Sequence, residues 1–237
     1  MKVLLSVKPK SQLFPIPMVM GCEGVASSML LNYYYKKIDA ITIMKDWPTH
    51  IDNPKKGYVG NQFLISFLRH QSIFPNVLAP YLNKFDADLV DGTGTTLYEL
   101  ENILAKKHPV LIYHTKLGQS PVWKTFKIGR NNKKLVSNIH VTLLIGFDEH
   151  FYYYIDPLWK QYNKLILPAF WPSKAQIIKI EKNKMVESYN KPGKMCIFKK
   201  NIINFKIICY KVVTFDMIML SNQKRCRICL LKLKCLL

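Results

Sequence analysis

The chain has 237 residues, 49% hydrophobic and 21% charged, with no low-complexity tract or internal repeat; this excludes a disordered or solenoid protein. The length supports one good-sized core, or one domain with an appendage. A formal charge of +20 favours acidic partners, but the basic residues are mostly scattered Lys, with no Arg-rich helix or aromatic–basic repeat. No specific nucleic acid is expected, and contact with an anionic surface stays open.

Met1–Val7 is a short apolar run that soon meets Lys8, Pro9 and Lys10, which is not the pattern of a secretory signal. The longest apolar stretch, 202–220, is interrupted by Lys206, Lys211 and Asp216. A cytoplasmic location is the expectation on that ground, with an extracellular or cell-wall one kept open.

From Cys22 to about Tyr35 the residues Val25, Met29, Leu30 and Tyr33 recur at helical spacing, after the breakers Pro15, Pro17 and Gly21. Residues 61–70 and 75–84 are weaker helix candidates. Thr96 and Glu99 form a capping box ahead of Leu97, Leu100 and Leu104, and that helix should end near His108-Pro109. Residues 110–115 read as a buried strand. Residues 139–147 and 151–155 read as strands joined by a turn at Asp148-Glu149-His150, and 176–180 as a closing strand. The prediction is an α+β domain over 1–180, with an N-terminal helix packed on an antiparallel sheet.

Residues 181–237 carry 13 Lys+Arg against 3 Asp+Glu and hold five of the six Cys. Their strand-like stretches have no clear partner, so a basic extension, or the product of a shifted reading frame, is expected there. The body is left with a single cysteine, Cys22, so it is not a disulfide framework. A lone body Cys is either a buried small hydrophobe or a reactive thiol.

Chemistry favours the thiol. Cys22 falls at a helix N-terminus, where unpaired N–H groups and the helix dipole stabilise a thiolate. Glu23 beside it opposes this if its carboxylate points the same way. The base needed next is an imidazole, and His140 opens a strand. If the hairpin turn centres on Glu149, Asp156 faces Thr142 and shares a sheet face with His140. The two are then diagonal neighbours about 7–8 Å apart at the backbone. Asp156 can then orient the ring. Gln12 is a candidate oxyanion donor beside the Cys22 N–H.

Ser11-Gln12, the run Met20-Gly21-Cys22-Glu23-Gly24-Val25-Ala26-Ser27-Ser28-Met29-Leu30-Leu31-Asn32-Tyr33-Tyr34, the run His140–Asp148 and the block Tyr154-Ile155-Asp156-Pro157-Leu158 together resemble bacterial C39-like peptidase domains. These are papain-like cysteine peptidases related to bacteriocin-processing peptidases. Lys56–Gly60 and Phe74–Pro80 resemble the family's middle section, and the resemblance covers roughly residues 3–180. It implies a nucleophile at Cys22, a base at His140, an orienting Asp156 and an oxyanion donor at Gln12. A peptide or protein substrate, no cofactor or metal, and a monomer are the further expectations.

Other signals are set aside. Gly92-Thr93-Gly94-Thr95 lacks the Lys-Ser/Thr of a phosphate loop and suits a turn. Cys226, Cys229 and Cys235 lack an evident fourth zinc ligand. His70, His108, His114 and His150 suit surface or structural places. Two other functions remain: a non-catalytic binding module of the same shape, and a basic protein that binds anionic polymer.

Overall fold

The computed structural model describes residues 1–200; the basic segment and cysteines beyond Lys200 lie outside the described residues. In chain order the first half holds β1 (Val3–Leu4), α1 (Cys22–Tyr33), α2 (Ala40–Lys45), β2 (Thr49–His50), β3 (Tyr58–Val59), α3 (Pro75–Leu82), β4 (Leu89–Asp91) and α4 (Leu97–Ala105). The second half holds β5 (Val110–Thr115), β6 (Trp123–Ile128), β7 (Asn131–Val136), β8 (Ile139–Phe147), β9 (Phe151–Ile155), β10 (Trp159–Tyr162), β11 (Leu165–Pro168), β12 (Ile177–Glu181), α5 (Lys182–Asn190) and β13 (Cys196–Lys199).

One antiparallel sheet organises the fold, in the order β12-β9-β8-β5-β13-β4, with β1 also paired to β8. All six residues of β5 and eight of nine in β8 are buried. Such apolar runs, rather than strict alternation, mark strands covered on both faces. On one face Leu111, Tyr113, Val141, Leu143 and Ile145 pack with Val25, Met29 and Leu30 of α1. On the other, Val110, Ile112 and Leu144 pack with Leu100 and Leu104 of α4 and Met185 and Tyr189 of α5. The architecture is α+β, as the residues predict. The capping box at Thr96 and Glu99 forms in full. Two hairpins, β6–β7 and β10–β11, stand outside the main sheet. No helix among the described residues is long and apolar enough to cross a membrane.

The structure differs from the sequence expectation in two places. Residues 61–70 form no helix. Asn61 Oδ1 accepts from Phe63 N, and the Gln71 amide bonds the carbonyls of Asn61 and Leu64 and the N–H of Ser66. These side-chain bonds replace a helical ladder. The domain also does not end near residue 180. α5 covers one face, and β13 inserts between β5 and β4, so the compact unit runs from Met1 to Lys200.

Candidate active site

Cys22 is the first residue of α1, with Gly21 at the N-cap. The first N–H groups of the helix have no partner within it. The thiol donates to Glu23 Oε2 at 3.1 Å. Glu23 is only 2% exposed. Its Oε1 accepts from Ser72 Oγ at 2.7 Å and from Ile73 N at 3.3 Å. Burial first, and then the Glu23 carboxylate, push the Cys22 thiol well above its ordinary pKa, while the backbone N–H of Val141 works the other way. Burial likewise raises the Glu23 carboxyl, against the hydrogen bonds from Ser72 and Ile73. The conflict posed by the sequence is therefore real: the carboxylate does point at the sulfur, and with burial it raises the thiol.

His140 and Asp156 meet through the β8–β9 hairpin. Next to the turn, Phe147 pairs with Tyr152 and Gly146 with Tyr153. A bulge at Ile145 then shifts the register, so that Leu144 pairs with Tyr154 and Leu143 with Ile155. Extending this register sets Asp156 opposite Thr142, on the face of His140. Without the bulge Asp156 would lie opposite Leu143, on the other face, because one residue of slip inverts a strand. Gly146 is required beside the bulge: a Cβ there would strike the backbone of Val3 and Leu4 in β1.

His140 Nε2 lies 2.7 Å from Asp156 Oδ1, and both residues are buried. The same oxygen accepts from Leu158 N at 2.8 Å and Trp159 N at 3.0 Å, a turn closed by the Asp side chain. Gln176, fully buried, donates from Nε2 to the carbonyls of Asp156 and Lys10, and its own carbonyl accepts from Asp156 N. With Nε2 committed to Asp156, Nδ1 is the ring nitrogen left for proton exchange.

Cys22 and His140 line one cavity of about 210 Å³ with Glu23, Asn138, Leu158 and Trp159. Lys116 Nζ sits 4.2 Å from the centre of the Trp159 ring, at the same cavity. Gln12 is buried, and its Nε2 donates to Val19 O at 2.9 Å. It is not among the side chains that line the cavity, although Val19 is. Among the described residues no group of three or more His, Cys, Asp or Glu could hold a metal ion.

The residues missed from sequence are those that hold the others. Gln176 was read only as the start of a closing strand, and Trp159 fell in no predicted element. The Asp156-Pro157 step signalled a turn, and that turn is what brings the amides of Leu158 and Trp159 onto the carboxylate. His114, expected to be surface or structural, is fully buried. It pairs across the sheet with His140, and it bonds Thr142 Oγ1 at 3.0 Å and Ser188 Oγ at 3.2 Å.

The model of the Peptidase_C39 like family matches residues 4–194. The chain belongs to that family. The match extends past residue 180 through α5 and ends just before β13. Among solved structures the chain is similar to a protein from Bacillus anthracis, itself assigned only provisionally as a C39-like peptidase. The TM-score is 0.69 at 23% identity, over 85% of this chain and 98% of that one. At that identity the likeness concerns the fold. No curated protein sequence matches the chain.

Proposed function

We propose that this member of the C39-like family is a cysteine-type peptidase or related amide hydrolase, with Cys22 as nucleophile, His140 as base and Asp156 as the group that orients His140. The observation that carries this reading is His140, in a buried 2.7 Å pair with Asp156, lining the same cavity as a cysteine at a helix N-terminus. The resting sulfur is a neutral thiol held by Glu23. On substrate binding its proton passes to His140 Nδ1 and the sulfur attacks the scissile carbonyl carbon. The developing oxyanion is held by the Cys22 N–H, and Gln12, bound through Nε2 to Val19 of the cavity wall rather than lining the cavity itself, is the proposed second donor. The imidazolium, steadied by Asp156, then protonates the leaving amine as the C–N bond breaks. His140 next takes a proton from water, the resulting hydroxide attacks the thioester, and release of the acid regenerates the thiol. The substrate is a peptide or protein.

The test compares hydrolysis of a peptide library by the wild type and by Cys22→Ala. Cleavage that persists in the variant would sink the reading. One observation favours a second reading, a non-catalytic module of the same fold: burial and Glu23 hold the thiol protonated. That reading expects no acyl-enzyme with any amide substrate.

A further inference from the structure

A second cavity of about 170 Å³ adjoins the one at Cys22 and shares Met20, Gln71, Ser137 and Ile139 with it. Its lining is mixed: Met20, Ile65, Phe67, Phe126 and Ile139 are apolar, and the rest, His70 and Gln71 among them, is polar or cationic. An apolar cavity of about 150 Å³ holds one benzene ring, and drug-sized ligands need about 300 Å³ or more. The cavity thus fits a single Leu-, Met- or Phe-sized side chain. Beside it the 61–71 segment leaves Phe67 82% and Leu68 88% exposed, with Leu64 and Ile65 more than half exposed. A contiguous exposed apolar patch of this kind marks a contact site.

The charge around the cleft has one sign. Arg69 and Lys124 line the second cavity, and no Asp or Glu does. The sequence has no Asp or Glu from residue 102 to 147, nor from 157 to 180. Those two stretches contain the hairpins that precede His140 and follow Asp156. The β6–β7 hairpin carries Lys124, Lys127, Arg130, Lys133 and Lys134, and β10–β11 carries Lys160 and Lys164. None of these seven, nor Arg69, has an ion-pair partner among the described residues. The carboxylate bonded to the β6–β7 tip is Asp52, which accepts from Gly129 N. At the Cys22 cavity the acid is Glu23, buried and already bonded. Clefts lined by one sign of charge concentrate ligands of the other.

We propose that the 170 Å³ cavity and its cationic walls form a substrate subsite for an acidic polypeptide, seating one apolar side chain near the scissile bond with Asp or Glu residues along the hairpins. The occupant is a peptide rather than an anionic membrane because the cavity has room for one side chain and adjoins the thiol cavity. This rests on the peptidase reading for the direction of the chemistry, but the recognition can be measured apart from it.

The experiment uses the full chain carrying Cys22→Ala and fluorescent peptides that differ at one central residue (Leu, Phe or Gly) and in their flanks (Glu, Gln or Lys). Binding is read by anisotropy at low and high salt. The expected result is preference for Leu or Phe over Gly and for Glu flanks over Lys, weakening with salt. The added pair Arg69→Glu and Lys124→Glu should lose about tenfold for the acidic peptides and nothing for the Gln-flanked ones. Equal binding across the panel overturns the proposal. So does salt-sensitive binding to anionic vesicles without binding to the peptides, or an acidic preference that survives the double substitution. The parent chain with Cys22 intact is assayed in parallel on the same peptides. Selective binding without any cleavage removes the peptidase reading and leaves the subsite; cleavage without selectivity does the reverse.

Discussion

Two histidines lie side by side in the main sheet and meet opposite fates. His114 of β5 and His140 of β8 are direct cross-strand partners on one face. His114 is enclosed by Thr142, Ser188 and the Tyr154 ring, and its pKa is held down to about 3, chiefly by burial and next by the His140 charge. His140 has a carboxylate on Nε2 and the thiol cavity beside it. Nothing in residue type or sheet face separates the two. The difference is that β9 stops at Ile155, beyond which a turn delivers Asp156 and opens the cavity at the exposed end of β8. α5 closes the corresponding space over His114. The lesson is that the site is made by where strands end rather than by the strands themselves.

If that distinction is right, the two positions should respond differently. The largest effect is expected at the His140 partner. Asp156→Asn keeps the shape but removes the charge that fixes the ring, and should lower kcat by about 10³–10⁴-fold in a peptide-cleavage assay, with the fold intact by circular dichroism. A loss under tenfold would mean that Asp156 is structural, like the groups around His114.

His114 should instead matter for stability. Its folded pKa lies below the unfolded value of about 6.5, so the unfolded chain binds the extra proton as pH falls through that window. Stability should drop by about 2 kcal/mol between pH 7 and pH 5 on this account. His114→Gln should flatten that part of the curve in urea denaturation and leave the pH dependence of thiol alkylation unchanged. A wild-type curve that is already flat between pH 7 and pH 5 would show that His114 is not the buried neutral group described.

Glu23 gives a smaller effect. Glu23→Gln removes the charge that, after burial, raises the thiol, while keeping an acceptor for Ser72 and Ile73. Alkylation of Cys22 by iodoacetamide at neutral pH should speed up by about tenfold, with the rising limb of the pH profile moved to lower pH. Because the Glu23 carboxyl is raised in the folded state, its contribution is favourable at acid pH and lost as pH rises through the folded value. The Gln variant should therefore be no less stable than the wild type at pH 7. Slower alkylation would show that Glu23 assists the thiolate instead.

Much of this was legible in the residues, unevenly. β5, β8 and β9 could be read because long apolar runs bounded by turns leave few alternatives, and α1 and α4 because spacing and caps agree. β13 could not, because its partners Leu111 and Asp91 lie some hundred residues away and no local pattern names them. Half of the β6–β7 strand residues are Lys or Asn, and only Phe126 and Val136 are buried, so the apolar alternation is too short to detect. Residues 61–70 mislead in the opposite way: Phe63, Leu64, Phe67 and Leu68 have helical spacing, yet they face solvent. At the site, parity placed His140 and Asp156 on one face only because of the bulge at Ile145, which no residue announced. The direction of the Glu23 carboxylate is set by Ser72 and Ile73, 49 and 50 residues away in sequence.

The most direct measurement is intact-mass and peptide mapping of the full chain after reaction with a peptidyl vinyl sulfone at neutral pH, for the wild type and His140→Ala. The account predicts one adduct, on Cys22, that is lost or slowed at least a hundredfold in His140→Ala, the scale of one general base. An adduct that forms equally fast without His140, or that maps to cysteines other than Cys22, would contradict it.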